Sequence, residues 1–204
     1  MKSQVSNARI SFQPVFLRIV KENHTKILSL DTRIKKIGTD LKKESTKKGS
    51  SLLEQKIQIF EDKLANISLI VIIFSAMTIE AYIYDYAARH LGDTYVKDHL
   101  DKLDTLSKWI VIPKLVTGRE IPRNDNWRKL LTRLIKARNS VVHYKSSEPP
   151  APLPNMRKYL EKERAYEKML LESAKESITL LEILADKMIE VDPEEAPWVK
   201  SYLT

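Results

Sequence analysis

The sequence predicts an all-α protein, a helical bundle with a long amphipathic helix at its N-terminal end. Three observations carry that prediction. Only 4 of 204 residues are Gly, 43% are hydrophobic and 30% are charged, largely Lys and Glu, a balance that favours helices. Apolar residues recur at spacings of three and four through most of the chain. Breaks between these periodic stretches hold Gly, Pro and capping residues. A chain of this length can bury one continuous core.

The first element spans about Pro14 to Glu44, where Phe16, Val20, Ile27, Leu30, Ile34, Ile37 and Leu41 keep a seven-residue repeat. Its seam must cover another helix, from this chain or from a partner. STKKGSS, residues 45–51, breaks the pattern, and Ser51 with Glu54 has the spacing of a capping box. The second element, about Ser51 to Leu91, contains LANISLIVIIFSAMTI, residues 64–79. That apolar run is short of the roughly 20 residues a bilayer needs and holds Asn66, Ser68, Ser75 and Thr78. It reads as the central helix of a bundle, and no membrane partner is expected.

Leu91-Gly92-Asp93 stops this helix, and a shorter one is expected over Tyr95 to Ile110. Pro113 and Gly118 then mark a loop running to Asp125 that holds Arg119 and Arg123. Asn124 or Asp125 can cap a further helix, Trp127 to about Lys145. EPPAPLP, residues 148–154, ends it, and Asn155 can cap the last long helix, to about Glu190. The expected organisation is a basic arm over 1–50, a bundle over 51–191 and a C-terminal tail over 192–204.

The formal net charge of +8 is unevenly placed. Residues 1–50 carry 12 basic and 4 acidic side chains, and residues 126–147 carry six basic and none acidic. Such fields attract polyphosphates, although a solvated helix face has the same composition. Zero cysteines exclude disulfides, thiolate metal sites and a cysteine nucleophile. His24, His90, His99 and His143 lack metal-ligand spacing, so no metal and no cofactor are expected. The first 20 residues have no apolar stretch long enough for a secretory signal, which leaves the cytoplasm as the expected location.

Two charges interrupt apolar stripes. Arg138 stands where Leu131, Leu134 or Ile135, and Val141 or Val142 lead the eye to expect a leucine. Glu80 breaks the series Ile73, Met77, Tyr84 in the same way. Both are costly on a buried face unless they are paired or meet a wet cleft, so Glu80 and Arg138 are expected to lie close together. A salt bridge that sets helix register would satisfy this without any substrate. At about 100° per residue, Asn139 and His143 share a face, whereas Arg138 lies about 140° from His143, which hints at a composite site. An arginine that grips phosphate and an imidazole that moves a proton near neutral pH suffice to drive attack of an RNA 2′-hydroxyl on its neighbouring phosphate.

The stretch RNSVVH, Arg138 to His143, with a polar residue directly after the Arg, resembles the motif of the HEPN ribonucleases. SAMTIEAYIYDYAARHLGD, residues 75–93, looks like that family's other helix, which often reads Glu, Ala, two residues, Asn. The resemblance covers roughly residues 60–145. It implies an all-α bundle, a homodimer whose two motifs share one cleft, metal-independent RNA cleavage, and roles in toxin-antitoxin or antiphage defence systems. Carried over, Arg138 and His143 become catalytic with Asn139 beside them, and Glu80 becomes the supporting acid. Tyr144 is placed beside the motif as a further supporting residue, and Arg133, Lys136 and Lys145 are the nearby cations expected on RNA. Tyr84 stands where the family often has Asn, and Tyr144 follows the His directly instead of one residue later. The basic N-terminal helix lies outside the family pattern and suits an RNA-binding arm, a dimerisation helix or a dock for an acidic antitoxin. A catalytically silent module that binds RNA, nucleotide or protein remains the alternative.

Overall fold

The computed structural model describes residues 12–122, 126–143 and 154–204. Among these residues the chain is helical without strands, as composition and periodicity predict. Helix α1 (Gln13–Leu41) opens with Pro14 in its first turn, where a missing N–H leaves no bond unmade. It runs antiparallel to α2 (Lys47–Leu91), burying Leu17, Val20 and Ile27 while Phe16 tilts against Phe74 at 5.6 Å between ring centroids. The seam of the basic N-terminal segment is thus covered by the same chain, and α1 is one wall of the bundle.

The turn between these helices differs from the capping-box expectation. Helix α2 begins one turn earlier, with Thr46 as its cap accepting a hydrogen bond from the Gly49 N–H at 3.1 Å. Glu44 folds back to accept from both the N–H and the hydroxyl of Thr46, each at 2.8 Å. Gly49 lies inside the helix, and a Cβ there would collide with the Glu44 carboxylate. The Glu44–Thr46 clasp satisfies the first N–H groups before Ser51 is reached, which makes the Ser51 cap unnecessary.

Helix α2 is long and apolar enough to cross a bilayer. Here its second half is covered by α1 and by the later helices of the chain, so Ile72, Ala76, Ile79, Tyr82, Ile83 and Tyr86 are buried. Tyr82 stacks between Tyr86 and Trp109, at 6.5 and 5.7 Å. Such aromatic pairs add about 0.5–1.5 kcal/mol each beyond the area they bury. Gly92 ends the helix with φ 88°, a conformation that only glycine takes without strain.

After Gly92 come one turn of α3 (Asp93–Tyr95) and a π turn over Val96–Leu100, then α4 (Thr105–Thr117). The helix expected over Tyr95 to Ile110 is therefore split. Asp104 causes the break by capping α4 through Ser107, whose N–H and hydroxyl it accepts at 3.0 and 2.6 Å. Pro113 does not start a loop. It sits buried within α4, and the Thr117 hydroxyl donates to its carbonyl at 2.8 Å before Gly118, at φ 74°, ends the helix. Burial of the proline ring offsets the lost helix bond.

Helix α5 (Trp127–Val142) buries Trp127, Leu130, Leu131, Leu134 and Ala137 against α2 and α6 (Pro154–Val191). Asn124, Asp125 and Arg123 lie outside the described residues, as do Tyr144, Lys145 and most of the proline-rich connection. Helix α6 starts at Pro154, so Asn155 falls inside it. The last residues are folded: a 3-10 turn, Pro193–Glu195, leads into α7 (Ala196–Tyr202), and Glu195, Val199 and Leu203 are buried. The short apolar spacing Val199–Leu203 anchors what the sequence alone leaves as a tail.

Candidate functional site

Glu80 and Arg138 meet. The Arg138 Nη2 donates to Glu80 Oε2 at 3.3 Å, and its Nη1 donates to Asn139 Oδ1 at 3.0 Å. The other Glu80 oxygen accepts the Thr105 hydroxyl at 2.9 Å. Three helices therefore contribute to one chain of polar contacts: α4 through Thr105, α2 through Glu80, and α5 through Arg138 and Asn139. Thr105 is the first residue of α4, so the Asp104 cap also places the hydroxyl that holds Glu80. Hydrogen bonds from the Ser107 hydroxyl and N–H keep the Asp104 carboxyl below its ordinary range.

The sequence suggests that these charges interrupt a buried stripe, but the structure puts them on the wall of a cleft of about 570 Å³. Met77 and Ile135 supply apolar wall, Tyr84 stands one turn beyond Glu80, and Lys108 approaches from α4, tethered to Asp101 at 3.2 Å. The pair is about one-third exposed, so its charges stay partly hydrated and the cost of burying them is reduced. Tyr84 puts a phenol at the cleft.

His143 lies elsewhere. It is the exposed C-terminal cap of α5, with φ −107°, and its N–H still donates to the Asn139 carbonyl at 2.9 Å. It does not line the Glu80–Arg138 cleft. Within one chain, then, Arg138 and Asn139 share the cleft with Glu80, and His143 projects from another face of the same helix. Arg133 is paired with Glu176 at 2.5 Å, while Lys136 is exposed. Tyr144 and Lys145 belong to the undescribed stretch.

A second polar cluster escaped the sequence reading. Both Glu195 oxygens accept from Arg89, at 2.6 and 2.9 Å, Arg89 also holds Asp85 at 3.0 Å, and the Tyr82 hydroxyl donates to Glu195 at 3.2 Å. The Trp198 ring lies against the guanidinium, 4.4 Å from its centroid. Burial pushes the Glu195 carboxyl up, but the bonds and charge of Arg89 outweigh it and hold it low; burial beside Glu195 pushes the Tyr82 hydroxyl far up. His90, Asp192 and Glu195 bring ligand-type atoms within 4.8 Å of one another, a grouping that no spacing in the sequence announces. A cation there would have to displace a guanidinium already bonded to both Glu195 oxygens, so the donor set fits an ion-pair cluster better than a metal centre. The signal available in the sequence was Arg89 near the end of an apolar helix and the acidic DPEE turn, but nothing local connects the two.

No known family model matches the chain, and no curated protein and no solved structure proves similar to it.

Proposed function

We propose that this protein is a metal-independent endoribonuclease of the HEPN type, working as a homodimer. The observation that carries the reading is the Thr105–Glu80–Arg138–Asn139 chain at an open cleft, whose Arg138 and Asn139 lie on the helix that also presents His143. Glu80 engages one arm of the guanidinium and orients it, leaving further N–H donors for a phosphate. In the reaction His143 accepts the proton of an RNA 2′-hydroxyl, whose oxygen attacks the adjacent phosphorus. The P–O5′ bond breaks, the protonated His143 returns that proton to the leaving 5′-oxygen, which departs as a hydroxyl, and the other product ends in a 2′,3′-cyclic phosphate. Arg138 stabilises the negative charge that builds on the phosphoryl oxygens. No water is consumed and no metal is required, and DNA is resistant because it lacks the 2′-hydroxyl.

Arg138 and His143 face different directions in one chain, so the reading requires a second copy to bring the His of one protomer to the Arg of the other. A cytoplasmic role in a toxin-antitoxin or antiphage defence system, with an antitoxin or activating partner, follows from the same resemblance. The separation of the two groups equally favours a second reading, a module that binds RNA without cutting it.

The test is incubation of a mixed RNA pool in EDTA with wild type, with His143→Ala, with Arg138→Ala, and with the two variants mixed. The expected result is cyclic-phosphate ends from wild type, none from either variant alone, and partial recovery in the mixture as heterodimers form one intact site. Intact RNA in the wild-type tube would reject the enzyme. Cleavage by both single variants would move the chemistry to other residues.

A further inference from the structure

Helix α5 has a flank that the Glu80–Arg138 cleft does not use. Arg128, Lys129, Arg133 and Lys136 border an open groove of about 550 Å³, floored by Leu106 of α4 and Met169 of α6. The charges there are not equivalent. Glu176 neutralises Arg133, but among the described residues no carboxylate pairs with Arg128, Lys129 or Lys136. Residues 126–147 contain no acidic side chain at all, so nothing on α5 competes for these cations.

The register of these residues links the groove to His143. Lys129, Lys136 and His143 are each seven residues apart, so each step advances roughly 10 Å along the helix and turns only about 20° around it. His143 keeps its helical N–H bond to Asn139, so the register holds to the end of α5. The three positions fall along one side of α5, and Arg138 lies on the other side, about 140–180° from them.

We propose that this groove is a track for the phosphate backbone of single-stranded RNA, running past Lys129 and Lys136 to His143. The assignment rests on the ribonuclease reading for the choice of RNA, and on the groove itself for the path. Flexible ammonium groups on the rim suit phosphates whose spacing varies, and the Leu106–Met169 floor offers an apolar surface to ribose and base edges. The groove explains why α5 is basic on a face that neither the core nor the cleft needs. It also separates two tasks on one helix: Lys129 and Lys136 position the strand, and the opposite side of the helix carries Arg138.

The experiment measures binding of fluorescein-labelled oligouridine in EDTA to full-length protein carrying His143→Ala, so that the probe stays intact. In that background Arg128→Gln, Lys129→Gln and Lys136→Gln are combined and compared with Lys36→Gln, Lys42→Gln and Lys43→Gln, the α1 set, which removes the same charge from the end of α1 and the two residues after it. Both sets are at the protein surface, and circular dichroism checks the fold. The α5 set is expected to weaken binding about 10- to 100-fold near 0.15 M salt and to reduce the log–log salt slope by about 2, as loss of three phosphate contacts requires. The α1 set should change affinity by no more than about twofold. Equal losses from the two sets, a larger loss from the α1 set, or no RNA binding by the parent would overturn the track. Polyglutamate bound as tightly as RNA would replace it with a dock for an acidic protein. Failure of the ribonuclease reading shows up separately, as RNA left intact by wild type, and leaves a groove-dependent binding result standing.

Discussion

Two arginine–glutamate pairs anchor on α2, and they differ in almost every respect that matters for function. Arg89 and Glu195 are 16% and 3% exposed, joined by two short hydrogen bonds, with Trp198 against the guanidinium and Tyr82 on the carboxylate. Arg138 and Glu80 are 30% and 35% exposed, joined by one bond of 3.3 Å on the wall of a cleft. The first pair is closed: its donors and acceptors are spent on each other and on the C-terminal segment. The second is open, since water reaches it and Arg138 keeps N–H groups for a ligand. The same two residue types thus make a structural clamp in one place and a candidate anion site in the other, according to how much of the surrounding chain folds over them.

Breaking the closed pair should have the largest effect. Arg89→Ala leaves the buried Glu195 carboxylate without its partner and is expected to cost about 3–5 kcal/mol, read as a lower urea midpoint. A loss below about 1 kcal/mol would mean that the two pairs are energetically alike. Acid should act less severely, on this clamp and on Asp31, which pairs with Lys175 of α6. Glu195 and Asp31 both have lowered carboxyl pKa values. For Glu195 burial raises it but Arg89 prevails; for Asp31 burial raises it but hydrogen bonds from Lys175 and Lys35 prevail. A depressed pKa adds stability that is complete above the ordinary values of 4.5 and 3.8 and is lost as pH falls through the lowered ones. Unfolding midpoints should therefore hold between neutral pH and about 5, then fall, and an Arg89→Ala background should flatten that fall. The open pair should show the smallest stability change. Arg138→Ala and Glu80→Gln are each expected to shift stability by no more than about 1 kcal/mol while abolishing or sharply reducing RNA cleavage. A large loss of stability with unchanged cleavage would make this pair a clamp as well.

The two pairs also mark how much was legible before folding. Glu80 and Arg138 could be matched from the sequence because each interrupts a strong helical stripe, and opposite charges on two apolar stripes have few other partners. The prediction of proximity holds, whereas the environment differs: a stripe position near a helix end or beside a loop can face a cleft, and the split at Asp104 opens this one. Thr105, whose hydroxyl holds Glu80, was hidden inside a helix expected to run unbroken, although Asp104-Thr-Leu-Ser is a capping pattern in plain view. Arg89 and Glu195 could not be matched, because they stand 106 positions apart with α4, α5 and α6 between them. Pro113 misled because proline inside a helix is penalised in isolation, and the burial that offsets the penalty is supplied by distant helices.

By itself the sequence determined the helical class, the positions of the long amphipathic elements, the Gly92 stop and the Arg138–His143 spacing on one helix, since all of these depend on local periodicity and backbone preference. Only the tertiary structure decided that α1 is covered by its own chain, that the last residues are folded under a buried Glu195, and that Arg138 faces a cleft that His143 does not line. Those outcomes depend on which surfaces of separate helices meet, and a periodic pattern states that a face is apolar without naming the face that will cover it.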